Sequence, residues 1–508
     1  MLDGSSKLRR WLANVVAGYG DAVVGGIIFL LLTPLLVRKL GNDGYAVWLI
    51  AHTFVFYLGF FDIGFGHAQV RFHARWAEGR RAPALRGLLA TTSAGLAIAG
   101  LAATLIGLGV AWIGPVNEFD APPALRGDLR LVLALLSLNL LLAFPSAVLS
   151  NLYRGAQRFD IANLRSIVLR VITALAQLAC LLADRGLVTL AAIELAMTAL
   201  RIIVDLLILR RLLPGLLQTP VRWHARTWRG VRRYALWSAF EDLLVDGATQ
   251  LEQLLIVFLL PLALLTPYAL YAAAAGVLLL AIGPISETFL PLAAQLHARH
   301  DRLQLAQLLT AGSKIAVAVA APAAVYLWEF GAQTLALWSP EGVRGAPTGL
   351  LRLITLNCLL SAFLTTSAMM LLAAGRVRTI ALLTLAEVAL STTLILLLAP
   401  RLGLTGVAAA LLAANVLVGL TAQIPITTTA FGLHALPFLW TSLGRVLIAV
   451  LPAYAAAVLV RGQLPPGIVG LALAALTIGA VYGISLLLLG TSARERDGYA
   501  ILWKELRQ

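Results

Sequence analysis

The feature that most constrains the fold of this chain is a series of windows, each about 20 residues long, that carry almost no charge. The window "LALAALTIGAVYGISLLLLG" at 471–490 is one of them. A helix of that length crosses the hydrocarbon core of a bilayer. Only 12% of the 508 residues are charged, against about 25% in soluble domains. The sequence therefore predicts an all-α polytopic membrane protein.

Charged clusters and Pro/Gly breaks divide the apolar windows into fourteen predicted transmembrane helices. With the N-terminus inside, about three quarters of the 39 Lys and Arg residues fall in cytoplasmic segments, Arg165 and Arg170 among them. The positive-inside rule then predicts that both termini are cytoplasmic. The opening "MLDGSSKLRR" lacks the pattern of a signal peptide, so the N-terminus is expected to be retained. Topology thus explains the net charge of +15, without a nucleic-acid partner.

Sequence motifs for catalysis and for ATP hydrolysis are missing. The longest polar stretch, 211–233, leaves no room for a soluble catalytic domain. No G-x-x-x-x-G-K-[ST] phosphate loop is present, and no His/Cys cluster has metal-ligand spacing. Cys180 and Cys358 stand singly in apolar segments, as small core residues do. We therefore expect no enzyme activity, no cofactor and no metal, and a secondary transporter is the default interpretation.

The two halves of the sequence contain a repeat. Arg9 to Trp48 aligns over Arg232 to Tyr271 without a gap, and paired basic residues, a long span and a Tyr-Ala turn recur in step. Six helices per repeat give both halves the same orientation, as in transporters whose site lies between two halves. The prediction is an N-lobe at 1–228 and a C-lobe at 229–435 around a central cavity. Two further helices and a cytoplasmic tail follow at 436–508.

The seventh predicted helix carries polar residues along one half of its circumference and leucines along the other. The polar half contains Glu241, Asp242, Asp246, Gln250 and Glu252. An acidic side chain near the bilayer centre costs at least about 2.5 kcal/mol. We therefore expect this face to line a transport cavity with protonatable carboxylates. For any single residue, pairing with an Arg between helices is the alternative.

Charged residues also occur in the first and sixth predicted helices. In the first, Asp21 shares a face with Gly18 and Gly25, and this face either lines the cavity or packs against another helix. In the sixth, Arg201 and Asp205 stand at i and i+4, which predicts an internal ion pair.

Four segments carry a family resemblance: "LGNDGYAVW" at 40–48, "FDIGFGHAQVRFHAR" at 61–75, "NLYRGAQRFDIANL" at 151–164 and "PRLGLTGVAAALLAAN" at 400–415. Together they resemble the polysaccharide-transport or O-antigen flippase family of the multidrug, oligosaccharidyl-lipid and polysaccharide exporter superfamily. The first two look like the family patterns L-G-x-x-x-Y-G-x-W and D-L-G-x-G-x-A-x-x-R. Ala46 replaces a Gly in the first pattern, and Ile63 replaces a Leu in the second.

The resemblance implies two six-helix lobes in a bacterial inner membrane. It also implies alternating access that moves an undecaprenyl-diphosphate-linked oligosaccharide from the cytoplasmic to the periplasmic leaflet. The implied partners are this lipid-linked glycan, H⁺ or Na⁺ as coupling ion, and a glycan polymerase.

A lipid-linked diphosphate needs a basic receptor, and the arginine fork suits phosphate. The candidates at the cytoplasmic helix ends are Arg9, Arg10, Arg71, Arg75, Arg232, Arg233 and Arg299. Each of them is equally explained as a topology anchor. We expect Asp21, Asp62 and the polar face of the seventh helix to serve ion coupling or to contact sugar hydroxyls.

Three other functions stay open on the sequence alone. A drug or cation antiporter of the same superfamily fits the acidic seventh helix, although the motifs fit it less well. A lipid II flippase is a near relative. A membrane enzyme of glycan assembly would need large outer loops, and the predicted outer loops are short.

Overall fold

The structure is a computed structural model in which the described residues are 4–62, 65, 66, 69, 82–113, 122–155, 158–212, 223–347 and 349–491. These residues form helices and short turns, without a strand among them. The helices are α1 (Gly4–Gly59), α2 (Ala82–Ile113), α3 (Pro123–Gly155), α4 (Phe159–Leu182), α5 (Leu187–Leu212), α6 (Ala225–Leu259), α7 (Leu265–Ala298), α8 (Arg302–Trp338), α9 (Leu350–Ala373), α10 (Val377–Val418), α11 (Ile424–Ala430), α12 (Ala435–Leu439), α13 (Arg445–Val460) and α14 (Ile468–Ser485). Two 3₁₀ turns, Phe60–Asp62 and Leu262–Leu264, and three π turns, Gly419–Gln423, Trp440–Gly444 and Leu486–Gly490, join or extend them.

Eleven helical stretches of the described chain are long and apolar enough to cross a membrane. Two of them turn sharply at a glycine and therefore make two crossings each: α1 at Gly41 and α10 at Gly403. The 35-residue α6, whose apolar part includes Gln250–Leu259, adds one more. The described chain thus contains the fourteen crossings that the sequence predicts, and the all-α membrane fold is confirmed.

The glycines at these two turns have backbone conformations that other residues rarely adopt. Gly41 has a φ of 73° and Gly403 a φ of 61°. Because Gly lacks a Cβ, it occupies positive φ without a steric penalty. The two turns lie in the segments "LGNDGYAVW" and "PRLGLTGVAAALLAAN", so part of what these motifs encode is the reversal between neighbouring spans.

The chain divides into two compact units, Met1–Leu265 and Thr266–Gln508. The first unit contains α1 to α6, and α6 packs on the second half of α1. The Thr53 hydroxyl lies 3.1 Å from Oε1 of both Gln250 and Gln253, and the Tyr57 hydroxyl donates to the Gly247 carbonyl at 2.9 Å. The sequence repeat predicts lobe boundaries at 228/229 and 435/436. These contacts do not test them, so they stay predictions.

Within the first unit, the described part of the segment "FDIGFGHAQVRFHAR" belongs to the packed core. Phe65 is buried, and its ring occupies the space that a Cβ at Gly95 of α2 would fill. The same ring lies 4.8 Å from the Trp228 ring. Gln69 is fully buried and donates through Nε2 to the Val148 carbonyl at 2.9 Å. These contacts fix the end of the second crossing against α2, α3 and α6.

In the second unit, the two helices that follow the predicted repeat, α13 and α14, pack on α8. The Tyr482 hydroxyl of α14 donates to the Ala318 carbonyl at 2.9 Å. Arg461, at the end of α13, donates to Glu329 of α8 at 3.1 Å. Both helices also contribute to a large apolar core of the described part of this unit. They are therefore an integral part of the second unit.

Candidate functional site

The first unit contains a polar cavity of about 520 Å³ between α1, α3, α4 and α5. The lining includes three arginines, Arg165, Arg170 and Arg201. Hydroxyl and amide groups from α3 and α4 complete the polar part of the wall, and they belong to Ser146, Ser150, Asn151, Ser166, Thr173 and Gln177. We call this space the arginine cavity.

The three arginines lie within membrane-spanning stretches, two of them near the middle of their helices. Arg165 and Arg170 fall in the apolar stretch Ile161–Leu182, and Arg201 falls in Leu187–Leu212. Arg170 and Arg201 lie near the midpoints of the 24-residue α4 and the 26-residue α5. Each charge at such a depth costs at least about 2.5 kcal/mol unless it reaches a partner or a water-filled space. The cavity supplies that space.

One of the arginines is fixed and neutralised by a buried carboxylate. Nη1 of Arg165 lies 2.6 Å from Oδ1 and 2.5 Å from Oδ2 of Asp205 on α5. Asp205 also accepts from the Tyr153 hydroxyl at 3.2 Å, and Arg165 donates to the Ser150 hydroxyl at 3.2 Å. The Asp205 side chain is 0% exposed. This network ties α3, α4 and α5 together on one side of the arginine cavity.

The predicted ion pair between Arg201 and Asp205 within α5 is therefore corrected. Asp205 makes its contacts with Arg165 and Tyr153 from neighbouring helices. Arg201 influences Asp205 only through space. It has no hydrogen bond or ion pair to any residue that the structure describes. Its guanidinium instead faces the arginine cavity.

Arg170 lies against the backbone of α1 at Gly25. A Cβ at Gly25 would overlap Nη1 of Arg170. Gly25 was expected to belong to a face that either lines a cavity or packs on a helix, and its missing side chain lets Arg170 of α4 pack closely on α1. Among the described residues that line the arginine cavity, three carry a guanidinium group and none carries a carboxylate, so this described wall is suited to an anion.

The arginines proposed from the sequence lie elsewhere. The side chains of Arg9, Arg10, Arg71 and Arg75 fall outside the described residues. Arg232, Arg233 and Arg299 are exposed, and none of the three lines the arginine cavity. Arg233 instead borders a separate space with Leu236, Trp237 and Phe240. A role for these seven residues in phosphate binding stays a prediction.

The polar residues proposed for ion coupling are only partly described. The side chains of Asp21, Glu241, Asp242 and Asp246 lie outside the described residues.

The structure describes three others of this group. Asp62 accepts from the Gly66 amide at 3.2 Å. Gln250 contacts Thr53, and Glu252 interacts electrostatically with Tyr57. The described part of the polar face of α6 therefore packs toward the second half of α1, and its role in coupling stays a prediction.

The sequence assigned Arg165 and Arg170 to topology and Arg201 to an internal ion pair. A signal was present, because two arginines five residues apart occupy an otherwise apolar span. The sequence could not show that α4 and α5 turn these arginines toward the same space. That orientation depends on the ion pair between Asp205 and Arg165, which lie 40 residues apart in the sequence.

A family model described as polysaccharide biosynthesis protein matches residues 11–297, more than half of the chain. A search of curated protein sequences found no significant match.

Solved structures with similar folds include one titled lipid II flippase MurJ, inward closed conformation. It has a TM-score of 0.71 at 14% identity and covers 98% of this chain and 100% of its own. An inward-facing multidrug resistance MATE family transporter of the MOP superfamily has a TM-score of 0.67 at 15% identity, with coverage of 80% and 94%. The MATE multidrug transporter DinF-BH has a TM-score of 0.54 at 15% identity, with coverage of 83% and 93%. At these identities the likeness establishes the fold.

Proposed function

Because the chain belongs to the polysaccharide biosynthesis protein family, we propose that it is a flippase for an undecaprenyl-diphosphate-linked oligosaccharide. It moves this lipid from the cytoplasmic to the periplasmic leaflet of a bacterial inner membrane, with both termini in the cytoplasm. The observation that carries the proposal is the arginine cavity, whose described wall contains three arginines from membrane-spanning stretches, with Arg201 directed into the cavity.

The chemistry of the arginine cavity fits a diphosphate. A diphosphate diester carries two adjacent negative charges, and the planar guanidinium group donates two parallel hydrogen bonds to phosphate oxygens. Arg201 is available for such bonds, and Arg170 reaches the same space from α4. The hydroxyl and amide groups of the wall are suited to sugar hydroxyls. A volume of about 520 Å³ lies in the range of ligand pockets, about 300–1,000 Å³.

Transport then requires that the site become accessible from each side of the membrane in turn. No phosphate loop is present in the sequence, so the driving force is an ion gradient or the membrane potential. The potential acts on the substrate directly, because moving one charge through 100 mV changes its free energy by about 2.3 kcal/mol. A diphosphate is driven outward when the inside is negative.

A lipid II flippase is the second candidate. The chain aligns over 98% of its length with a structure of that title, and lipid II also carries a diphosphate. The arginine cavity would recognise the diphosphate of either lipid. The two functions therefore differ in the glycan rather than in the chemistry of the arginines.

Reconstitution into vesicles tests the function. Fluorescent undecaprenyl-diphosphate-linked oligosaccharides of several compositions and lipid II are incorporated in parallel, and access of an added glycosidase or quencher is followed. We expect protein-dependent flipping of at least one oligosaccharide, faster than that of lipid II. Preferential flipping of lipid II would replace the first function by the second. Protein-free rates for every lipid-linked glycan would overturn both.

A further inference from the structure

A second polar pair, half-buried, lies in the first unit outside the arginine cavity. His52 stands in the second crossing of α1, and Glu194 stands in α5. Nε2 of His52 lies 3.3 Å from Oε1 and 3.2 Å from Oε2 of Glu194. Nδ1 lies 2.9 Å from the Trp48 carbonyl oxygen. The Trp48 ring packs against the imidazole with the ring centres 4.3 Å apart.

This geometry determines how many protons the pair holds. The Trp48 carbonyl can only accept, so Nδ1 carries a proton and donates to it. A neutral imidazole has one N–H group, which would leave a lone pair on Nε2 facing the carboxylate. Two acceptors at 3.2 Å repel each other unless a proton lies between them. The pair therefore contains one proton more than a neutral histidine and an ionised glutamate.

We propose that His52 and Glu194 form a proton-binding site that controls the affinity of the arginine cavity for a diphosphate. The proton lies between Nε2 and the carboxylate, and its loss leaves a neutral imidazole beside an ionised Glu194. The site takes H⁺ rather than Na⁺, because both imidazole nitrogens are engaged as donors. The link to the diphosphate rests on the proposed function, whereas proton binding itself does not.

The helix α5 connects the two sites. Glu194, Thr198 and Arg201 are spaced at i, i+4 and i+7, so they lie on one face of α5. The rise per residue places Glu194 and Arg201 about 10 Å apart along the axis. When the pair loses its proton, it gains a negative charge that opposes a second anion near Arg201. By linkage, a bound diphosphate also strengthens proton binding, by the same factor.

Among the residues whose side chains the structure describes, few charged groups surround the pair. Glu194 is the charged residue that acts on His52 within the described part of the chain. On α6, the neighbouring side chains are the neutral Gln250 and Gln253, which contact Thr53, and Glu252 acts on Tyr57. The pH response is therefore assigned to the pair itself.

Proton binding is measured first, without any transport substrate. The purified protein with ¹⁵N-labelled histidine is titrated by NMR between about pH 5 and pH 9, a range centred near the ordinary pKa of histidine, and His52→Gln identifies the resonance. We expect His52 to carry protons on both nitrogens at low pH and to lose one as the pH rises. Glu194→Gln should move that step to lower pH. If His52 kept a single N–H group across the whole pH range, the pair would not bind the additional proton, and the proposed proton site would be wrong.

The second measurement is the affinity for a short-chain prenyl diphosphate linked to one sugar, whose charge is constant across this range. In the native protein, we expect the affinity to fall about tenfold from the low to the high end of the titration. His52→Gln should abolish the change, and the control His300→Gln, at an exposed loop position, should retain it. If the native protein bound the diphosphate equally well across this pH range, the pair would not control the affinity of the arginine cavity, and that part of the proposal would be wrong. If the diphosphate fails to bind at any pH, the proposed function fails, while the NMR titration still decides the proton site.

Discussion

At the scale of single residues, the packing of α3, α4 and α5 depends on the ion-pair partner of the buried Asp205. Asp205 is fully buried and binds Arg165 through both carboxylate oxygens. Removing one member of such a pair leaves the other charge buried without compensation. Arg201, four residues from Asp205, remains directed at the arginine cavity. These contacts favour a structural role for the pair, and Arg201 stays directed into the cavity.

The stability of the protein tests this assignment. We expect Asp205→Asn to lower the free energy of unfolding by about 3–5 kcal/mol, because Arg165 would stay charged and unpaired in the helix packing. Asp184→Asn is the matched control, since Asp184 pairs with Lys39 at 2.6 Å but is 75% exposed. It should change the stability by no more than about 1 kcal/mol. Unfolding of the purified variants in detergent compares them, and equal losses would contradict a structural role for Asp205.

The neighbouring glycines Gly25 and Gly26 offer a second comparison. A Cβ at Gly25 would displace Arg170, whereas nothing lies within 4 Å of a Cβ at Gly26. We expect Gly25→Ala to weaken diphosphate binding about tenfold, the loss of one charge-assisted hydrogen bond. Gly26→Ala should leave the affinity unchanged. Equal affinities in a titration of the two variants would show that Arg170 does not contribute to the site.

At the scale of helices, much of the structure was predictable. Apolar windows and their breaks predict fourteen crossings, and the described helices contain them. Periodicity alone did not predict the π turns Gly419–Gln423 and Trp440–Gly444. Gly419 lies so close to Leu364 of α9 that a Cβ there would overlap it. Local sequence determines where a span lies, and the tertiary fold determines such close contacts.

The turn at Gly41 gives a prediction at this scale. Its φ of 73° and ψ of 172° lie in a region that is essentially restricted to glycine. We expect Gly41→Ala to lower the free energy of unfolding by about 1–3 kcal/mol. Gly109→Ala is the control, because Gly109 lies within α2 with open space around its Cα, and alanine favours a helix. Thermal unfolding of both variants tests the idea, and a Gly41→Ala protein as stable as the control would contradict it.

At the scale of the whole molecule, the sequence motifs predicted the family, and the match over residues 11–297 confirms it. The proposed binding site could be predicted less well. The seven proposed arginines come from helix ends, where basic residues also report topology. The three arginines of the cavity come from two spans whose mutual orientation only the folded structure shows.

The charge of the arginine cavity separates the flippase from a cation antiporter. The three arginines of the described wall are expected to repel a lipophilic cation and attract a diphosphate. We therefore expect vesicles that contain the protein to accumulate no lipophilic dye cation under an imposed pH or Na⁺ gradient. Accumulation of the dye, above the level of protein-free vesicles, would favour the antiporter.

The central claim is that the arginine cavity binds the diphosphate of the substrate. Its most direct test is the equilibrium affinity of the purified protein, in lipid nanodiscs, for the prenyl diphosphate–sugar. Arg201→Gln removes a cavity arginine, and Arg210→Gln removes an arginine from the last turn of the same helix. We predict that the first variant binds at least about tenfold more weakly, as expected for one charge-assisted hydrogen bond, and that the second binds like the native protein. Native affinity in Arg201→Gln, or an equal loss in Arg210→Gln, would contradict the claim.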